Sequence, residues 1–299
     1  MGGRWLIVLV ALSGCAPSAS EVPRTLRAGE AGTVHFSPDG VVVLSGVLRF
    51  PNGAGRVAAV ILMHGCGGVG NADAGWVPPL RDAGFATLVV DSFSGRGLRE
   101  VCTNALKLSA NDRIPDAYAA LKLLATHPRV DRDRIVLMGF SHGGIVTLRS
   151  ATTWARDRYG AGGPGFRVFL PFYPLCSVRY PELLRLAGPV RIHSGELDDW
   201  TPAAPCAELV KDMKAAGNDA DITIYRGAHH SFDNIGLSIT HLPNVDSGAA
   251  CRINATSFDA PPVSRLPECV RKGATLGWSP AATAAARKNV LAQLATLLR

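Results

Sequence analysis

The chain has 299 residues, 47% hydrophobic and 18% charged, which suits an ordinary soluble globular core organised as one domain. The formal charge is +7, but the 31 Lys and Arg are scattered without a basic run. This charge reads as a solvated surface and argues against nucleic acid as a partner.

In chain order, the first element is an export signal. Arg4 gives a short positive segment, and Trp5 to Leu12 is an apolar run too short to span a bilayer. Leu12-Ser13-Gly14-Cys15 resembles the bacterial lipobox, in which the Cys receives a diacylglycerol and the preceding peptide is removed. This predicts a signal peptide over 1–14, lipidation at Cys15 and a polar tether over 15–30. Ala16 after the Cys resembles outer-membrane sorting. The expected location is therefore the bacterial periplasm or outer membrane, with a lipid anchor as the only membrane contact. The rival is ordinary cleavage near Ala19-Ser20, which discards Cys15 and releases a secreted soluble protein.

Export makes disulfides the expected state of Cys66, Cys102, Cys176, Cys206, Cys251 and Cys269. Sequence leaves their pairing open; joining neighbours along the chain gives Cys66–Cys102, Cys176–Cys206 and Cys251–Cys269. The absence of a C-x-x-C pair argues against a metal site.

Val41 to Phe50 is apolar around Gly46 and predicts an early strand, closed by the turn signal Pro51-Asn52-Gly53-Ala54-Gly55. Val57 to Met63, Ala86 to Val90 and Ile135 to Met138 are continuous apolar runs, as strands buried on both faces read. Val168 to Phe172, Val190 to His193 and Ile222 to Tyr225 are shorter candidates. Between them, Ile114, Ala117, Tyr118, Leu121 and Leu124 repeat on one helix face. Gly143 to Trp154 and Ala204 to Ala216 are further predicted helices. Ser279 and Pro280 predict the start of a last helix, with Val290, Leu291, Leu294 and Leu298 as its buried stripe. Strands alternating with helices predict an α/β fold with a mostly parallel sheet covered on both faces. Residues 233–278 have weak periodicity and two Cys, and read as a long loop insertion.

The chemistry centres on Gly139-Phe140-Ser141-His142-Gly143, a G-x-S-x-G sequence following an apolar strand and opening an apolar helix. That context marks a nucleophile elbow, with Ser141 at a helix N-terminus where backbone N–H groups face developing negative charge. A Ser hydroxyl needs a base, and the base needs an orienting acid. Asp198 and Asp199 follow the strand at Val190 to His193, and His229 and His230 follow the last strand. Acid before His, both at strand ends, is the order this elbow requires.

The segments His64-Gly65-Cys66-Gly67-Gly68, Gly139 to Gly144, Gly195-Glu196-Leu197-Asp198 and His230-Ser231-Phe232 resemble the dienelactone hydrolase family of α/β-hydrolases. The resemblance implies an α/β-hydrolase domain over 31–299, a triad of Ser141, Asp198 and His230, and oxyanion donors at the backbone N–H groups of Cys66 and His142. Asp199 and His229 are the second choices for acid and base. His64 is a second base or, preferably, a brace for its loop. Arg96 falls near the family's carboxylate-gripping Arg, and Trp76 and Trp200 are candidate pocket walls. The best-known members use Cys as nucleophile; Ser141 shifts the expectation toward general esterase chemistry.

The expected function is hydrolysis of a small carboxylic ester or lactone through an acyl-enzyme, without metal or organic cofactor. Its rivals are a peptidase-like or polyester-degrading relative and a non-catalytic envelope lipoprotein. Oligomeric state is not legible.

Overall fold

The computed structural model describes residues 25–260 and 266–299. The predicted signal peptide, Cys15 and the tether up to residue 24 lie outside them. Residues 25–30 are not a loose tether: Leu26 is buried in the core, its amide 2.8 Å from the Thr126 hydroxyl.

Eight strands form the central sheet: β1 (Gly32–Phe36), β2 (Leu44–Arg49), β3 (Val57–Met63), β4 (Ala86–Asp91), β5 (Val130–Phe140), β6 (Val168–Phe172), β8 (Val190–Gly195) and β9 (Ala220–Tyr225). Their order is β1-β2-β4-β3-β5-β6-β8-β9. Only β2 runs against its neighbours; from β4 to β9 every pair is parallel. A parallel sheet needs cover on both faces, and strict alternation along β3 shows how the sequence supplies it. Ala59, Ile61 and Met63 face one apolar cluster, with α2 (Ile114–Leu124), α3 (His142–Ser150) and α5 (Ala203–Ala215). Ala58, Val60 and Leu62 face the other, with α1 (Asn71–Asp82) and α7 (Pro280–Leu297). α7 starts where predicted, the Ser279 hydroxyl accepting from the Ala282 amide.

Three expectations need correction. The predicted helix over 143–154 is two helices: Thr152 is extended and its hydroxyl caps α4 (Thr153–Tyr159) by accepting from the Ala155 amide. The predicted strand over 41–50 is only β2, and β1 pairs with it as a sheet edge. The segment 233–278 is not simply a loop. β10 (Thr240–Ser247) pairs antiparallel with β12 (Arg271–Leu276), and β11 (Ile253–Asn254) pairs with the short β7 (Val178–Arg179).

This hairpin lies over the sheet's C-terminal rim and is bonded to the loops there. The Asp246 amide donates to the Cys102 carbonyl at 2.8 Å, and the Gly277 amide to the His230 carbonyl at 3.0 Å. The Thr275 amide donates to the Asp199 carboxylate at 2.7 Å. Disulfides join Cys66 to Cys102, Cys176 to Cys206 and Cys251 to Cys269. Such crosslinks belong to a chain that matures in an oxidising compartment outside the cytoplasm. No helix among the described residues is long and apolar enough to cross a membrane.

Candidate active site

Ser141 follows β5 directly and caps α3 at φ 55° and ψ −113°, a conformation L-residues rarely adopt. Tight packing imposes it. A Cβ at Gly143 would lie 2.1 Å from the Met63 carbonyl oxygen, and one at Gly139 would lie 2.2 Å from the Gly143 carbonyl oxygen. Both obstacles are backbone, so only glycine lets strand and helix approach this closely. The turn leaves Ser141 partly accessible above the sheet.

The loops after β8 and β9 bring the other groups to it. His230 Nε2 lies 2.9 Å from Ser141 Oγ, and its Nδ1 lies 2.8 Å from Asp198 Oδ2. Asp198 is fixed from the opposite side. Its Oδ1 accepts the amides of Trp200 and Thr201 at 2.9 and 2.8 Å. The Thr201 hydroxyl lies 3.1 Å from both Asp198 Oδ2 and His230 Nδ1, and donates to the Tyr173 carbonyl at 2.9 Å. The imidazole is also packed by the rings of Tyr173 and Trp200, at 4.6 and 4.8 Å between centroids. With His230 and Asp198 buried and Ser141 open to a cavity, the geometry suits proton transfer from a hydroxyl.

The second choices have other placements. Asp199 is exposed and anchors β12 through Thr275. His229 is not joined to Ser141; its Nδ1 is buried without a hydrogen-bond partner. His64 is fully buried. Its Nε2 accepts the Ser92 amide at 3.1 Å and its Nδ1 donates to the Gly65 carbonyl at 2.7 Å, so it braces the loop.

That loop, His64 to Cys66, abuts the elbow: a Cβ at Gly65 would sit 3.6 Å from the Ser141 Cβ. Cys66 and Ser141 line one cavity, and His142 opens α3, where the first-turn amides have no carbonyl ahead of them. Behind both loops lies Arg113, fully buried just before α2. Its guanidinium donates to the His64 carbonyl at 3.0 Å and to His142 Nδ1 at 2.8 Å, and forms no ion pair among the described residues. Burial pulls its pKa down to about 10, which leaves it charged at neutral pH. Burial and this neighbouring cation hold His64 and His142 well below the usual imidazole range, so both are neutral. Arg113, Thr201 and Tyr173 escaped the sequence reading because no motif spacing ties them to the elbow.

The cavity in front of Ser141 measures about 300 Å³ and is lined by Tyr173, Trp200, Ser231, Asn234, Leu242 and Leu276, among others. Trp200 thus lies along this cavity. Trp76 does not: it is buried under α1 against Phe172, with its indole N–H 2.7 Å from the Asp233 carboxylate. Nor does Arg96 reach this cavity. It forms a two-pronged ion pair with buried Asp116, at 2.7 and 2.9 Å, and faces a separate cleft with Asp39 and Asn111. A guanidinium spent on a buried carboxylate has no free edge for a substrate.

Two features of the cavity give testable consequences. Asp73 lines it as the N3 residue of α1. One carboxylate oxygen accepts the Gly70 amide and the other is buried without a partner. Burial, with Asp233 nearby, raises its pKa to about 7. The folded state then holds a proton that the unfolded chain releases near 3.8, so stability falls as pH rises from about 4 to about 7 and stays lower above. Asp73→Asn should raise the melting temperature at pH 8, by the equivalent of a few kcal/mol, and leave it near wild type at pH 4. Thermal scans across pH check this.

The second feature is the Cys66–Cys102 crosslink, which fastens the His64–Cys66 loop to the segment carrying Val101, whose amide donates to the Cys66 carbonyl at 2.8 Å. Cys66→Ala/Cys102→Ala should lower stability by about 2–4 kcal/mol and kcat by about 10-fold or more through a loosened donor. Calorimetry and steady-state kinetics on the same preparation separate the two effects. Among the described residues no cluster of three or more His, Cys, Asp or Glu is placed to hold a metal ion.

Comparison with known proteins agrees with this architecture. A Bradyrhizobium protein named as a probable 2-oxo-3-(5-oxofuran-2-ylidene)propanoate lactonase is 29% identical over 202 residues, covering 62% of this chain and 77% of that protein. A candidate dienelactone hydrolase from Klebsiella pneumoniae superposes with a TM-score of 0.62 at 16% identity, over 89% of this chain and 99% of that one. A dienelactone hydrolase-like promiscuous phosphotriesterase from metagenomic libraries gives 0.60 at 17% identity, over 90% and 98%. The dienelactone hydrolase family model matches residues 44–257. That span holds the elbow, both strand-end loops and the His64–Cys66 loop, and the chain accordingly belongs to the dienelactone hydrolase family, as a hydrolase of carboxylic esters or lactones.

Proposed function

We propose that Ser141, His230 and Asp198 carry the reaction as nucleophile, general base and orienting acid. The observation supporting this most directly is the continuous chain of contacts, 2.9 Å from Ser141 Oγ to His230 and 2.8 Å from His230 to Asp198. In acylation His230 Nε2 takes the Ser141 proton as Oγ bonds to the carbonyl carbon. The amides of Cys66 and His142 hold the oxyanion. The carbon–oxygen bond to the alcohol then breaks and His230 gives its proton to the departing oxygen. Water then enters and gives a proton to His230 as its oxygen bonds to the acyl carbon; the bond from that carbon to Ser141 Oγ breaks as His230 returns the proton to Oγ, freeing the acid. Asp198 stabilises the imidazolium in both halves.

Labelling with a fluorophosphonate probe, with the adduct mapped to Ser141, tests the nucleophile. A panel of p-nitrophenyl esters, lactones and aminoacyl amides tests the bond cleaved. Turnover of amides alone would overturn the reading. The name of the Bradyrhizobium relative makes lactones the first cyclic substrates to assay.

The same reading places the enzyme outside the cytoplasm, held by acyl chains on Cys15. Incorporation of a fatty-acid analogue that disappears in Cys15→Ala would support the anchor, and a wild-type chain released without lipid would refute it.

A further inference from the structure

Two cavities meet at Ser141. The larger, about 300 Å³, carries His230 and Ser231. The smaller, about 110 Å³, carries His142 and is walled mainly by Val101, Ile145, Leu175 and Val270, with Thr201 and Asp246 also at its lining. Cys66, Cys102 and Trp200 border both, so the disulfide and the indole form the partition between them.

The chemistry decides which half of a substrate enters which arm. This step rests on the Ser141–His230 reading above. A tetrahedral intermediate on Ser141 Oγ has its oxyanion against the amides of Cys66 and His142, leaving two substituents to place. The departing oxygen must receive a proton from His230 Nε2, so the alcohol half lies on the His230 side. His230 lines only the larger arm. The remaining substituent, the acyl chain, is directed away from His230, past Trp200.

We propose that the smaller arm is the acyl site, and that the enzyme cleaves esters of short apolar acids, with the bulkier alcohol in the larger arm. The lining fits an alkyl chain: Ile145 comes from the first turns of α3, Leu175 from the loop after β6, and Val270 from the turn into β12. The size sets the limit. With about 110 Å³ against about 300 Å³ for the other arm, this arm takes the smaller substituent, and butyryl is the proposed upper length. The end wall is backed by the fold: a Cβ at Gly248 would lie 3.0 Å from the Leu175 side chain. The larger arm offers Asn71, Ser231 and Asn234 beside its apolar walls, which suits an alcohol bearing further hydroxyl or carbonyl groups.

The test uses p-nitrophenyl acetate, butyrate, hexanoate and octanoate with the intact enzyme. The expected kcat/KM falls by about 10²-fold or more from butyrate to octanoate. Leu175→Ala should recover hexanoate by about 10-fold relative to acetate, and Ile145→Ala serves the same purpose if Leu175→Ala does not fold. Pre-steady-state kinetics then assign the arm. Once the alcohol has left, only the acyl site still touches substrate, so release of hexanoate from the acyl-enzyme should respond to Leu175→Ala. Equal rates from acetate to octanoate in the wild type would overturn the proposal. So would a hexanoate gain produced by Leu242→Ala in the larger arm and not by Leu175→Ala or Ile145→Ala. Fluorophosphonate labelling of Ser141 is run in parallel. A missing adduct refutes the underlying reading, whereas a normal adduct with the wrong chain-length profile refutes this inference alone.

Discussion

Ser141→Ala is expected to lower kcat against p-nitrophenyl butyrate by about 10⁴-fold or more, and His230→Ala by a similar factor. In the proposed mechanism the two side chains act on one proton, so the double variant should lose little more than either single one. Asp198→Asn should lose up to about 10⁴-fold while keeping the fold. Its Oδ1 can still accept the amides of Trp200 and Thr201, but an amide at the second position no longer accepts from His230 Nδ1. Steady-state kinetics on the four variants, with circular dichroism to confirm folding, check the set. Multiplicative losses in the double variant would mean that the hydroxyl and imidazole do not work as a unit.

The second large effect is expected away from the cavity, at Arg113. Arg113→Met removes a buried cation and leaves the His64 carbonyl and His142 Nδ1 without their donor. Each unpaired buried acceptor costs about 1–3 kcal/mol, so the melting temperature should drop by several degrees. The same change should let the two loops carrying the proposed oxyanion amides, at Cys66 and His142, drift apart. The expected loss is about 10²-fold in kcat with KM little altered, because the donors matter most once the oxygen is charged. Affinity for a boronic acid, which becomes a tetrahedral anion on Ser141, should fall in parallel with kcat. Arg113→Lys keeps the charge but cannot span both acceptors, and should recover only part of the loss. A variant that lost stability but kept wild-type kcat and boronate affinity would show that Arg113 serves the fold alone.

Much of this architecture is written in local patterns. Buried parallel strands have to be apolar on both faces, so Val57 to Met63 and Val168 to Phe172 are legible to the residue. The elbow is legible because its glycines are demanded by backbone contacts that no side chain tolerates. α1 was missed because Gly75, Pro78 and Pro79 interrupt its periodicity; the tertiary packing of Trp76, Val77 and Leu80 overrides those local signals. The β10–β12 hairpin was missed for a related reason. Only Val245, Ser247 and Ala274 of its strands are buried, and what holds it is bonding to distant loops at Cys102, Asp199 and His230. The proposed triad residues sit at strand ends and follow a chain order, whereas Thr201 and Arg113 reach the site through contacts that only the folded chain creates. Arg96 and Trp76 show the converse. Their sequence positions suited a substrate, but Asp116 and Asp233, remote in the chain, claim their polar atoms.

The hairpin over the rim also governs how substrate gains entry. It is stitched down at both ends of its span, and Cys251–Cys269 closes the loop that joins its strands. Bonds at both ends of the described strands oppose any lifting of this roof. Catalysis should accordingly need no oil–water boundary to awaken it: turnover should track the concentration of dissolved ester and level off, without a jump, where that ester begins to form micelles.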